Sequence, residues 1–210
     1  MKIVTARPID NDSFAPYGQL LDVPAAPGRY DFQAELFNGR SEALPNLLLA
    51  SAEASSLPLE IERMERHPQS SQAFFPLEAA RYIVMVCPDA ADGGPDMARL
   101  DAFIVGSAQG INYNPGIWHH QLTALDGAAK FAALVWENGS EADTEWYSLA
   151  PDQRRRIENR VDAAGIGAAF GGDIAAPRKI AARRRHIILP LGMDQGGVGP
   201  GGGFEVEQRR

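Results

Sequence analysis

The first 150 residues alternate between short apolar runs and polar turns. Leu59-Glu60-Ile61-Glu62-Arg63-Met64-Glu65 sets apolar and charged side chains on alternate positions, the period of a half-buried strand. Arg81-Tyr82-Ile83-Val84-Met85-Val86-Cys87 is a continuous apolar run of strand length, closed by Pro88-Asp89 and the turn-forming Asp92-Gly93-Gly94-Pro95. Leu47 to Leu49, Gln72 to Phe75, Asp101 to Val105, Gly110 to Tyr113 and Lys130 to Trp136 continue the series. The spacing predicts a mainly β protein, an antiparallel sandwich or barrel with few short helices. Helical periodicity is sparse. Ser13 as N-cap before Phe14 predicts one short helix. A second is predicted over residues 151–165, where Pro151 and Asp152 open a first turn and Ile157, Val161 and Ala164 fall at helical spacing before Gly165.

Charge divides the chain near Ala150. Residues 1–150 carry 9 Lys and Arg against 20 Asp and Glu, and residues 151–210 carry 11 against 7, so the net charge of -7 averages two unlike segments. The expected organisation is a domain over 1–150 and a C-terminal extension over 151–210, helical at first and then Gly-rich and flexible. An acidic balance disfavours a nucleic-acid partner, and the Arg183-Arg184-Arg185 run reads as a solvated charge cluster. The glycines near the end lack the Gly-Lys-Ser/Thr close of a phosphate loop, so no nucleotide cofactor is expected. No apolar run approaches the ~18 residues of a membrane span. Met1-Lys2-Ile3-Val4 leads into polar residues rather than an apolar signal core, so a cytoplasmic location is expected. The single cysteine, Cys87, makes no internal disulfide and reads as a small buried hydrophobe. Phe74, Phe75, Tyr82 and Trp118 read as core.

Candidate chemistry gathers in two polar clusters at strand ends. In Glu65-Arg66-His67-Pro68-Gln69-Ser70-Ser71-Gln72, strand alternation points Glu65 and His67 the same way, able to hold a divalent metal or to act as a base with its orienting partner. In Gln109-Gly110-Ile111-Asn112-Tyr113-Asn114-Pro115-Gly116-Ile117-Trp118-His119-His120, adjacent histidines face opposite ways, so at most one of His119 and His120 serves a common site. No Gly-x-Ser-x-Gly elbow supports acyl-enzyme chemistry.

The same two clusters carry a family resemblance. Glu65-Arg66-His67-Pro68 with Gln72-Ala73-Phe74-Phe75-Pro76-Leu77 resembles the first signature of the ureidoglycolate lyases, and Gln109-Gly110, Asn112-Tyr113 and Trp118-His119-His120 resemble the second. Phe14-Ala15-Pro16-Tyr17-Gly18, Pro95-Asp96 and Leu100 to Phe103 match in order. The resemblance implies a cupin-like antiparallel barrel, usually homodimeric, that cleaves the small anion (S)-ureidoglycolate to glyoxylate and urea. It implies His119, His67 and Glu65 as catalytic residues, with the same three as ligands if a divalent ion, nickel by resemblance, is held. Arg66, Gln72, Asn112, Tyr113 and His120 are the implied substrate contacts. Gln121 stands where the family has proline, Trp136-Glu137 where an Asp-Arg pair is usual, and Phe37-Asn38-Gly39-Arg40 echoes an N-x-G…R pattern loosely. These departures leave two other readings: a lyase or hydrolase for a related 2-hydroxy or 2-ureido acid, and a non-catalytic cupin that senses a small carboxylate.

Overall fold

The computed structural model describes residues 1–159. Fifteen strands dominate this part. In chain order they are β1 (Lys2–Pro8), β2 (Gly18–Asp22), β3 (Leu44–Ala52), β4 (Ala54–Ser55), β5 (Leu59–Ile61), β6 (Arg63–Arg66), β7 (Gln72–Glu78) and β8 (Arg81–Cys87). After these come β9 (Asp101–Gly106), β10 (Gln109–Tyr113), β11 (Trp118–His119), β12 (Thr123–Leu125), β13 (Ala129–Glu137), β14 (Glu145–Ser148) and β15 (Arg155–Asn159). One α-helical turn, α1 (Asn11–Phe14), and three 3₁₀ turns complete the described residues.

Two sheets hold these strands. The smaller runs β2-β10-β7-β13-β3, and the larger follows β14-β6-β11-β8-β9-β1-β15-β5 with β12 and β4 attached to β8. The larger sheet must curl, because β5 and β6 lie near opposite ends of its path yet flank a single residue, Glu62. Leu149 N–H donates to the Glu62 carbonyl across that closure.

Alternation then builds two cores. Tyr82, Val84 and Val86 of β8 meet Phe103 and Val105 of β9, Ile111 and Tyr113 of β10, and Phe131 and Ala133 of β13 between the sheets. The opposite parity of the same strands, Ile83, Met85, Cys87, Ala102 and Ile104, packs with Ile61, Met64, Trp118 and Ile157 inside the curl of the larger sheet. Because β8 is buried on both faces, its sequence shows no alternation. Cys87 is fully buried, and burial pushes its thiol up to about 12.

Three sequence expectations need correction. The helix over 151–165 is not formed in its described part: residues 151–153 turn, and Arg155–Asn159 is a strand, parallel to β1 and antiparallel to β5. Arg155 and Ile157 are buried while Arg156 between them is exposed, so the governing period is two. The β structure therefore continues beyond residue 150. The rest of that expected helix, the Arg183 to Arg185 run and the Gly-rich stretch lie outside the described residues. The N-cap of α1 is Asp10, whose carboxylate accepts from Ser13 N–H at 2.9 Å and from the Ser13 hydroxyl at 2.6 Å, so Ser13 is a donor within the turn. Phe75 is not core but 42% exposed.

Phe75 belongs to an apolar outer face on the smaller sheet. Leu49, Ala132 and Phe75 stand directly opposite one another across β3, β13 and β7. Gly110 and Leu21 continue that row, and a Cβ at Gly110 would press on Leu21 and on the Phe75 ring. Leu47 and Leu134 are paired in the adjacent part of β3 and β13.

Candidate active site

The inner faces of β6, β7, β10 and β11 converge on His119. Glu65 of β6 and His119 of β11 are directly opposite, with Glu65 Oε1 3.6 Å from His119 Nε2. Gln72 of β7 is directly opposite Tyr113 of β10, and it shares a face with the core residue Phe74 two positions on. The Tyr113 ring stacks on His119 with centroids 4.3 Å apart and planes at 16°. His67, one residue beyond β6, stacks on the other imidazole at 5.6 Å and 29°. His67, Gln72, Tyr113 and His119 are all buried.

Local backbone chemistry fixes both imidazoles. Asn114-Pro115-Gly116-Ile117 is a turn in which proline presets one φ and Gly116 adopts φ 77°. Gly116 N–H donates to the His67 carbonyl at 2.9 Å, tying the second cluster to the first. His119 Nδ1 lies 2.9 Å from the Ile117 carbonyl, and His67 Nδ1 lies 2.9 Å from the Asp143 carbonyl. A carbonyl only accepts, so each Nδ1 carries a proton, and in the neutral ring Nε2 keeps its lone pair. Both Nε2 atoms, and the Oε1 of Gln72, are buried with no hydrogen-bond partner among the described residues. Burial, with the neighbouring His119 second, lowers the His67 pKa below its ordinary value, so this ring is neutral at pH 7. Burial holds the Tyr113 hydroxyl well above the usual phenol range, so it remains a donor. The result is a buried, acceptor-rich cluster: two imidazole nitrogens, an amide oxygen and a carboxylate.

Three implied site residues are placed elsewhere. Arg66 has the opposite parity to Glu65: it lies 4.4 Å over the Trp118 ring and is held by Asp89 at 2.8 Å and Glu145 at 2.6 Å. Asn112 points away from Tyr113, to the outer side of β10, and donates to Gln19 Oε1 at 2.7 Å and to the Glu35 carbonyl at 3.1 Å. There it clamps the chain segment before β3. His120 follows His119 with reversed parity, and its Nδ1 is 2.9 Å from the Gln121 carbonyl. Burial lowers its pKa as well.

Asp143 and Thr144 were not legible as site residues. Thr144 Oγ1 lies 3.2 Å from His67 Nδ1, beside the Asp143 carbonyl. The Asp143 side chain is bound by Arg40 and by the N–H groups of Asn138 and Gly139. Burial would raise its pKa, but these donors prevail and hold it below the usual carboxylate value. The only signal was Arg40 itself, in the loosely matched Asn38-Gly39-Arg40 pattern.

Glu65, His67 and His119 offer a carboxylate and two lone pairs in ligand form. Yet among the described residues no three His, Cys, Asp or Glu side chains are arranged to close on one ion. The donor set fits a divalent metal incompletely, and no step below passes through one.

The described residues form a mainly β protein of two sheets with a buried imidazole–carboxylate cluster on their inner faces. The ureidoglycolate lyase family model matches residues 1–155, and the chain belongs to that family. It is 39% identical over 150 residues to a candidate ureidoglycolate lyase of Agrobacterium fabrum (strain C58), covering 71% of this chain and 92% of that one. It is 35% identical over 169 residues to the ureidoglycolate lyase of Brucella melitensis biotype 2, covering 75% and 96%. Among solved structures, a dTDP sugar isomerase from Desulfovibrio desulfuricans G20 aligns with TM-score 0.43 and 15% identity, covering 65% of this chain and 85% of that one. The family assignment rests on the sequence matches.

Proposed function

We propose that the chain is a carbon–nitrogen lyase, of the amidine-lyase type, that cleaves (S)-ureidoglycolate to glyoxylate and urea late in allantoin and purine-nitrogen breakdown in the cytoplasm. One observation carries the reading: the unpartnered, buried acceptors His67 Nε2, His119 Nε2 and Gln72 Oε1 beside Glu65. Ureidoglycolate presents the complement, a hydroxyl and the N–H groups of a ureido substituent. His119 Nε2 takes the hydroxyl proton, the oxygen's electron pair becomes the carbonyl of glyoxylate, and the carbon–nitrogen bond pair leaves on the urea nitrogen. The proton held on His119 then passes to that nitrogen, so the step balances without external acid. Glu65, 3.6 Å away, stabilises the transient imidazolium. Gln72 and His67 accept ureido N–H bonds, and Tyr113 donates to a substrate oxygen.

The divalent ion implied by the resemblance would draw on the same three donors, Glu65, His67 and His119, and would supply Lewis-acid polarisation of the substrate oxygens. Glyoxylate and urea are measured together after dialysis against chelator, and again with nickel or manganese restored. Equal release of both products, surviving chelation, is expected. Ammonia in place of urea would move the reading to a hydrolase. Absence of glyoxylate under every metal condition would leave a lyase or hydrolase for a related 2-hydroxy or 2-ureido acid, or the small-carboxylate sensor. Loss on chelation with recovery on nickel would make the imidazoles ligands rather than bases.

We further propose that the chain is a homodimer whose contact is the outer face of the smaller sheet. Leu47 is 70% and Leu49 76% exposed there, and the rows they head carry no charged side chain. Phe75, 42% exposed, stands in the Leu49 row, and exposed apolar patches larger than roughly a few hundred Å² mark interaction sites. An uncharged apolar face complements a second copy of itself. In addition, β3 is a nine-residue edge strand paired only with β13. Light scattering should give twice the chain mass for the wild type and the chain mass for Leu49→Asp. A wild-type monomer, or an unchanged dimer in the variant, removes this face from consideration.

A further inference from the structure

Arg40 lies far from the two signature clusters in sequence, yet it ends a chain of contacts that begins on the His67 ring. His67 Nδ1 donates to the Asp143 backbone carbonyl at 2.9 Å. The Asp143 carboxylate is in turn closed on both oxygens: Oδ1 by Arg40 and by Asn138 N–H at 3.1 Å, Oδ2 by Gly139 N–H at 2.7 Å. Arg40 reaches further, to Asn138 Oδ1 at 3.3 Å and to the Trp136 carbonyl at 3.4 Å, binding the end of β13 to the loop that follows. Both partners of the ion pair are nearly buried, with side-chain exposures of 11% and 10%. A surface ion pair contributes little, but one this enclosed, with backbone N–H bonds on both carboxylate oxygens, fixes the geometry of the loop that contains it, although Arg40 Nε is buried with no partner among the described residues.

We infer that the Arg40–Asp143 pair is the positioning device for His67: it holds the Asp143 carbonyl where that oxygen commits the ring to the Nδ1-protonated tautomer, leaving the Nε2 lone pair available to the substrate. This rests on the proposed function for its catalytic consequence, and on geometry alone for its structural one. Without Arg40, the loop carbonyl is held on Nδ1 only by the Asn138 and Gly139 N–H bonds to the Asp143 carboxylate, by the turn, and by the pairing of Glu145 with Arg66. Thr144 Oγ1, 3.2 Å from the same nitrogen, can donate as well as accept and so does not enforce a tautomer.

The test compares Arg40→Met and Asp143→Asn with Arg40→Lys. The last keeps a cation on the carboxylate. Nitrogen-15 NMR of the imidazoles reports which ring nitrogen bears the proton, and kcat is read from glyoxylate release. The wild type and Arg40→Lys should show His67 protonated on Nδ1 alone. Arg40→Met and Asp143→Asn should show mixed tautomers, with kcat lower by about 10- to 100-fold, as expected when a reacting group loses its orientation. A His67 ring that stays wholly Nδ1-protonated in both folded variants overturns the inference, as does a mixed tautomer with full turnover. If the wild type releases no glyoxylate, the proposed function fails while the tautomer measurement still decides the positioning.

Discussion

Replacing His119 by asparagine should lower glyoxylate release by about 10²- to 10⁴-fold, the range for loss of a positioned general base. His119 is 2% exposed, its Nδ1 is committed to the Ile117 carbonyl, and its Nε2, 3.6 Å from Glu65, has no hydrogen-bond partner among the described residues. Asparagine can keep a donor for that carbonyl but has no nitrogen lone pair to accept a proton. The stacked contacts with Tyr113 and His67 would be lost, costing about 1 kcal/mol, which lowers Tm by about 2–4 °C in a domain of this size. His120→Asn is the matched control, because the neighbouring side chain has reversed strand parity, and it should retain most of its turnover. Comparable losses from the two variants would mean that His119 acts through the fold rather than through its lone pair.

How much of this site was legible follows from strand parity. Glu65, His67, Gln72, Tyr113 and His119 fall in two short windows, and alternation alone assigns Glu65 and His67 to one face and separates His119 from His120. The same rule already set Arg66 against Glu65. The structure gives Arg66 to Asp89, Glu145 and the Trp118 ring. Asn112 and Tyr113 are adjacent and cannot both face inward, yet nothing in the pattern says which does, since both are buried. The outer side of β10 is covered by the segment containing Glu35, which has no periodicity of its own. Asp143 escapes sequence reading for another reason: its service to His67 comes through a backbone carbonyl, which any residue has.

The strands were legible from turn chemistry and apolar runs, but their partners were not. β1 lies between β15 and β9, more than 90 residues away along the chain, and is parallel to both. Local pattern carries no record of such pairing. It also explains the misread C-terminal segment. Pro151 and Asp152 satisfy the rules for a helix start and Ile157, Val161 and Ala164 fall at helical spacing, so it is pairing with β1 and β5 that selects the extended alternative.

That selection makes Arg155 the sharpest test of the strand. Arg155 is 6% exposed, and its guanidinium forms no ion pair among the described residues. Instead Nε donates to the Met97 carbonyl at 2.9 Å, and Nη1 donates to the carbonyls of Asp152, Gln153 and Arg154 at 3.2, 2.7 and 3.0 Å. One side chain thus closes the turn that precedes β15 and fastens it to the 3₁₀ turn before β9. Arg155→Ala should cost about 3–4 kcal/mol in urea denaturation, because it strips charge-assisted bonds and leaves the buried Met97 carbonyl without its donor. Ile157→Ala, at a fully buried position in the second core, should cost about 2–5 kcal/mol. Arg156→Ala, between them on the solvent face with only Glu158 at 2.9 Å, should cost less than about 0.5 kcal/mol. Large, small, large over three consecutive residues is a strand's signature; a helix turns 100° per residue and cannot place 155 and 157 inward with 156 outward. If Arg156→Ala proves as costly as its neighbours, β15 is not seated as described and the domain ends near residue 150 after all.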